Sequence, residues 1–251
     1  MSLAPAPVTR VQLCGPLVIE RDGERVESRL PGRQGRLLFG YLAVNRHRSA
    51  GRDELAAAVW PNDPPPATDA SLNALLSKVR RALGTEAIEG RSSLRLRLDD
   101  AWVDVEAATE AIHRAESSVA QSDWSRAWGP SLVALFVAER EFLPGEDAGW
   151  IEDERRRLAE LRLRALECYG TAGLGIGGTE LAAAVRAGRQ LVELAPLRES
   201  GYRCLMQALA AQGNQAEALR IYSGLCDTLR DELGVSPSAD TRSVYERLVV
   251  T

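Results

Sequence analysis

Hydrophobic and polar positions change period several times along the first hundred residues of this chain and then settle into a single period to its end. From Val11 to Val26, short runs of apolar and β-favouring residues flank an Asp22-Gly23 pair. That dipeptide suits a tight hairpin turn, whose two central residues both need positive φ. A small antiparallel sheet is expected there. Pro31-Gly32 breaks the run, and Leu37, Leu38, Tyr41, Leu42 and Val44 then recur at helical spacing, predicting a helix from about Gly35 to Asn45. A second helix is expected from Arg52 to Trp60, burying Leu55, Val59 and Trp60, with Asp53 and Glu54 in the first turn, where the helix dipole favours carboxylates. Pro61 ends it. Pro64-Pro65-Pro66 makes a stiff, exposed connector, because consecutive prolines fix φ and remove donors.

A third helix is expected from Asp69 to Leu83, with Thr68 as N-cap and Gly84 as its stop. At about 100° per residue, Leu72, Leu75, Leu76, Val79 and Leu83 share one arc. Asn73, Ala74, Ser77, Lys78 and Arg81 take the other, with Ser71 and Arg80 at its margins. The predicted outer face is narrow, rich in small residues and basic. Leu94, Leu96 and Leu98 then alternate with Arg95 and Arg97, the pattern of a half-buried strand. A small sheet, three helices and a closing hairpin make a winged helix-turn-helix, an α+β module assigned to residues 9–98. In that fold the third helix enters the major groove of DNA, and the hairpin, or wing, touches backbone or minor groove. Arginine and lysine there can pair with phosphate or read guanine, serine and asparagine can bond base edges, and a small residue such as Ala74 permits close approach.

After Asp99-Asp100 strand signals are expected to vanish, leaving helices over about 103–121, 123–140, 148–173, 179–195, 198–212, 215–233 and 239–249. Ala182-Ala-Ala-Val-Arg186 repeats as Ala216-Glu-Ala-Leu-Arg220 at an offset of 34 residues, the tetratricopeptide period. Residues 99–251 are therefore expected to form an all-α, tetratricopeptide-like domain, and the chain as a whole is mainly α.

The 251 residues, 45% hydrophobic and 26% charged, suffice for two ordinary domains. The net charge of −4 looks unsuited to a nucleic-acid partner, but the sum hides a split. Residues 1–98 hold 15 Lys plus Arg against 10 Asp plus Glu, whereas residues 99–251 hold 16 against 25. A basic module precedes an acidic one. Since 30 of the 31 basic residues are arginine, arginine content by itself carries little weight; position does. No window approaches the ~18 uninterrupted apolar residues of a membrane span, and Met1 to Arg10 lacks an export signal, so the chain reads as cytoplasmic, with no membrane partner. Cys14, Cys168, Cys204 and Cys226 have no close pair and read as reduced core residues. Gly173-Leu-Gly175-Ile-Gly177-Gly178 superficially matches a dinucleotide loop but follows a helix instead of a strand, so a flexible helix connector is expected. His47 is expected to be an ordinary surface histidine, and Glu152-Asp153-Glu154 before Arg155-Arg156-Arg157 reads as a salt-bridged helix surface. Trp60 and Trp150 are expected to seal cores, while Trp102, Trp124 and Trp128 have no evident place. No catalytic constellation, metal site or cofactor site emerges, and the chain is not expected to be an enzyme.

Several stretches resemble one known family. Leu13-Cys-Gly15-Pro16-Leu17, the Leu55 to Trp60 run before the prolines, and Ser71-Leu72-Asn73 through Gly84 look like its OmpR-type winged helix. Phe142-Leu-Pro-Gly-Glu-Asp-Ala-Gly-Trp150, Leu161 to Leu166, and Leu233-Gly-Val-Ser-Pro through Leu248 are similar to the bacterial transcriptional activator domain. Over about residues 9–250 the chain resembles the Streptomyces antibiotic regulatory proteins, activators of secondary-metabolite gene clusters. The resemblance implies binding to direct repeats in double-stranded promoter DNA near the −35 element, with two copies able to pair on the DNA, and recruitment of RNA polymerase holoenzyme. It puts Ser71, Ala74, Ser77, Lys78 and Arg81 at DNA-facing helix positions, Arg33 and Arg36 at backbone-contacting positions, and Arg91 in the wing. The polymerase-facing loop would be Asn62, Asp63, Pro64 and Pro65. The competing reading is a tetratricopeptide-type interaction adaptor whose winged helix only docks.

Overall fold

A computed structural model describes residues 9–98 and 100–250. The chain divides into two compact units: the first runs through Ala107 and takes in Arg140–Leu158, and the second comprises Ala108–Glu139 and Ala159 onward.

The first unit runs in the order β1 (Thr9–Gln12), β2 (Val18–Arg21), β3 (Glu24–Arg25), α1 (Gly32–Val44), β4 (Ala50–Gly51), α2 (Arg52–Val59), α3 (Thr68–Leu83), β5 (Ile88–Gly90), β6 (Ser93–Leu96) and β7 (Ala101–Val103). Asp22 and Gly23 turn between β2 and β3 with φ of 52° and 81°, as their dipeptide predicts. The first sheet has the order β3-β2-β1-β7, and β7 lies parallel to β1 with Val11 opposite Val103. The expectation that strands end at Asp99-Asp100 is thus corrected: three residues are too few to display an alternation, and β1 supplies the missing pairing partner. The second sheet, β4-β6-β5, carries the wing, with Leu94 and Leu96 buried and Arg95 and Arg97 exposed. Phe39, Leu42, Leu55, Leu72, Leu76 and Leu94 build the core between these helices and the wing sheet.

α1 begins three residues earlier than its apolar spacing suggests. At Gly35 a Cβ would lie 2.5 Å from the Pro31 ring, so the helix can start against that proline only because the side chain is absent. α3 begins at Thr68, after Ala67, and Thr68 does not cap it; its hydroxyl donates to the Pro65 carbonyl at 2.8 Å. Thr68 is already the first helical residue, one position past the N-cap, and its side chain turns back to the connector.

Arg140–Leu158 joins this unit by backbone pairing and by apolar anchors. Gly15 N donates to Glu141 O at 2.7 Å and Leu143 N to Leu13 O at 2.8 Å. The Leu143 side chain occupies the space of an absent Cβ at Gly40, which would otherwise lie 2.7 Å away. The Trp150 indole N–H donates to the Ala58 carbonyl at 3.1 Å, and its ring meets Tyr41 edge-on at 5.2 Å. Beneath them the fully buried Asp104 carboxylate accepts from the backbone N–H groups of Leu13, Cys14 and Val105 at 2.9–3.0 Å.

The remaining helices are α4 (Asp104–Ala120), α5 (Trp124–Ala138), α6 (Gly149–Ile176), α7 (Leu181–Leu194), α8 (Glu199–Ala211), α9 (Gln215–Leu233) and α10 (Ala239–Val250). In the second unit α7–α8 and α9–α10 are successive helical pairs, which gives the 34-residue offset its meaning. Small residues set the crossings: a Cβ on Gly188 would lie 2.8 Å from Leu205, and one on Gly201 2.7 Å from Leu191. Ala184, Val185, Leu205, Met206, Leu209, Ala218 and Val244 form the core there. The expected flexible connector at 173–178 is corrected as well. α6 runs on to Ile176, and Gly173 and Gly175 are helical positions whose missing side chains admit Trp128 and Trp124. Only Gly177 and Gly178, with φ of 74° and 57°, make the turn. Among the described residues no helix is long and apolar enough to cross a membrane.

Candidate nucleic-acid interface

The surface of α3 follows its sequence pattern residue by residue. Leu72, Leu75, Leu76, Val79 and Leu83 are buried, Asn73, Ala74, Ser77, Lys78 and Arg81 are exposed, and Ser71 and Arg80 are half-buried between them. Among the described residues Lys78 and Arg81 form no ion pair, so their full charge is available to an anion. Small Ala74 and Ser77 lie one turn before them, and helix packing is not disturbed because the apolar arc alone faces the core.

Arg80, read with Asn73 and Arg81 as a DNA-binding candidate of this helix, commits part of its guanidinium inside the protein. Its Nε donates to the Ile88 carbonyl at 3.1 Å and its Nη2 to the Gly90 carbonyl at 3.2 Å, so it braces the wing. Gly90 bends sharply with φ of 96°, and a Cβ there would lie 2.0 Å from the Ser93 carbonyl oxygen. The turn therefore requires glycine, and Arg91 projects from it, exposed and without an ion pair among the described residues. Below the wing, Arg46 forms a two-pronged pair with Glu106 at 2.7 Å and also donates to the Leu98 carbonyl. Arg95 donates to the Arg46 carbonyl at 3.0 Å. His47 is an exposed side chain 2.9 Å from Glu106. A polar cleft of about 820 Å³ between wing and sheet is lined by Arg21, Arg80, Arg91, Arg97, Glu86 and Glu89.

Arg33 and Arg36, at the start of α1, converge on one nearly buried carboxylate, Glu146, at 3.1 and 2.7 Å, and Arg33 also donates to the Asp147 carbonyl. Both side chains keep a little under half their surface exposed, but part of each guanidinium is committed inside the protein. Asn62, Asp63 and Pro64 are exposed in the connector between α2 and α3, and Pro65 is half-buried. Sequence reasoning missed Glu146, and it missed Arg52, whose guanidinium reaches Asp69, Asn73 and the Arg91 carbonyl. Nothing in the helical period marks either residue, because each acts on partners remote in sequence.

These two parts, a winged helix with a basic face on α3 that forms no ion pair among the described residues and a set of helical pairs after it, define a class by architecture: a winged-helix module followed by a helical-repeat module. Residues 103–249 match the bacterial transcriptional activator domain, and the chain belongs to that family, the transcriptional activators of the Streptomyces antibiotic regulatory protein type. It is 30% identical over 247 residues to the regulatory protein AfsR of Streptomyces griseus, covering 98% of this chain and 25% of that one. It is 29% identical over 264 residues to the transcriptional regulatory protein EmbR of Mycobacterium tuberculosis, covering 94% and 62%. The chain therefore spans about a quarter of the length of AfsR and less than two thirds of EmbR. A solved structure of Mycobacterium tuberculosis EmbR in complex with a low-affinity phosphopeptide shares the fold, with a TM-score of 0.84 at 24% identity over 97% of this chain and 65% of that one.

Proposed function

We propose that this chain is a sequence-specific DNA-binding activator that reads direct repeats near a promoter −35 element and recruits RNA polymerase, with two copies side by side on the repeats. α3 enters the major groove, Arg91 of the wing and Arg33 and Arg36 of α1 meet the backbone, and Asn62, Asp63, Pro64 and Pro65 form the loop offered to polymerase. The genes it serves are those of a secondary-metabolite cluster, in keeping with its family. The observation that carries this reading is the exposed, unpaired pair Lys78 and Arg81 on a helix whose opposite face is wholly buried. Activation then needs only added binding energy between polymerase and promoter, and no chemistry from this chain.

Each phosphate neutralised adds about −0.9 to the slope of log affinity against log salt. Arg81→Ala is expected to weaken binding to a promoter repeat and, if it meets a phosphate, to flatten that slope by about one unit. The Lys78→Ala/Arg81→Ala double variant should lose most of its preference for promoter repeats over random duplex, measured by fluorescence anisotropy at moderate salt. Binding by the double variant at wild-type affinity would remove α3 from the interface. Equal affinity of the wild-type chain for every duplex would favour the interaction-adaptor reading.

A further inference from the structure

Arg52, the first residue of α2, spends its guanidinium on three elements at once. Nη2 donates to Asn73 Oδ1 at 2.8 Å, Nη1 donates to the Arg91 carbonyl at 3.2 Å, and Nε approaches Asp69 Oδ1 at 3.4 Å. Its side chain is 24% exposed and lies in an open cleft of about 760 Å³ whose wall includes Asn73, Asp69, Arg91 and Ser92. The contact constrains the chemistry of Asn73. Arginine has no acceptor, so the amide atom that faces it must be the oxygen, and the amide NH2 is the end left to the outside.

An asparagine reads adenine in the major groove by accepting from N6 and donating to N7 together, which needs both ends of the amide presented to the base. Arg52 takes one of the two lone pairs of the Asn73 oxygen and fixes the amide with that oxygen turned toward the guanidinium. A bidentate approach to adenine would have to break or share this bond, whereas the NH2 donors are free to meet a base. We propose that Arg52 is a specificity-determining positioning residue: by locking the Asn73 amide it directs that position to an acceptor-rich edge, guanine O6/N7 or thymine O4, and against adenine. The same guanidinium holds the wing turn through the Arg91 carbonyl, so the α3 contact and the wing contact are set by one side chain. This inference rests on the reading of α3 as the DNA-facing helix.

The test uses the full chain and a randomised duplex library. Wild-type protein is expected to enrich a motif in which one base-pair step favours guanine or thymine over adenine by about tenfold, the discrimination that roughly 1.4 kcal/mol supplies. Arg52→Ala should abolish the preference at that step and leave the rest of the motif intact. Asn73→Ala, a change at an exposed helix position, should relax the same step, and the Arg52→Ala/Asn73→Ala double variant should be no worse there than Asn73→Ala alone. Relaxation at different steps by the two single variants, or a motif left unchanged at that step by Arg52→Ala whatever uniform loss of affinity accompanies the lost wing contact, would overturn the inference while leaving the DNA-binding reading in place. A wild-type chain that enriches no motif would overturn both.

Discussion

Arg80 and Arg81 are identical in sequence terms and adjacent, yet one is turned back to two wing carbonyls and the other is turned out. A step of about 100° around the helix is enough to separate them. The residue that makes the wing possible has no side chain. Gly90 sits at φ 96°, where a Cβ would run into the Ser93 carbonyl oxygen. Gly90→Ala is therefore expected to destabilise the protein by about 2 kcal/mol or more, from positive-φ strain and the clash together. A lower urea midpoint with an unchanged slope would register this.

Among the elements, β7 and the start of α4 hang on one buried charge. Asp104 satisfies the N–H groups of Leu13 and Cys14, which lie about 90 residues away in sequence, and of Val105 beside it. Burial pushes its carboxyl above the usual carboxylate range, although the three backbone donors and Arg140 pull the other way. Asp104→Asn would turn an amide NH2 toward backbone donors and leave at least one of them unsatisfied. A loss of about 2–3 kcal/mol is expected on that ground, read as a urea midpoint shift, with Asp104→Ala costing at least as much. In the second unit the equivalent economy is steric: Gly173 and Gly175 let two tryptophans lie against α6, so a stretch that resembles a loop by composition is helix by packing.

For the whole molecule, pH dependence follows from the sign of each carboxylate shift. Hydrogen bonds from Arg48 and Tyr41 lower the Glu54 carboxyl to about 2 from its ordinary value of 4.5, and Arg164 lowers that of Glu116. A carboxylate held low in the folded state adds stability that is fully present above the unfolded value and disappears as pH falls through the folded one. Asp104 has the opposite sign, since its raised value removes stability as pH rises through it. Acid lability is expected to dominate for Glu54, with its contribution lost between about pH 4.5 and 2. Urea midpoints taken across that range should fall for the wild type and fall less for Glu54→Gln. The compact unit that contains the winged helix also extends past residue 98, to Ala107 and to Arg140–Leu158, because Leu143, Trp150 and Glu146 complete surfaces that α1 and α2 leave open.

The sequence by itself determined the helices of both units, the Asp22-Gly23 turn, the inner and outer faces of α3 and the helical pairs, since each is written in a short period or a turn dipeptide that the backbone must obey locally. It also held the charge split between the basic and acidic parts. Only the tertiary structure decided that β7 pairs with β1, that Arg33 and Arg36 share Glu146, that Arg80 braces the wing, and that Arg52 holds Asn73. Those outcomes depend on which groups meet across 8 to more than 100 residues of chain. A periodic pattern gives the face on which a residue lies and is silent about the partner that face will find.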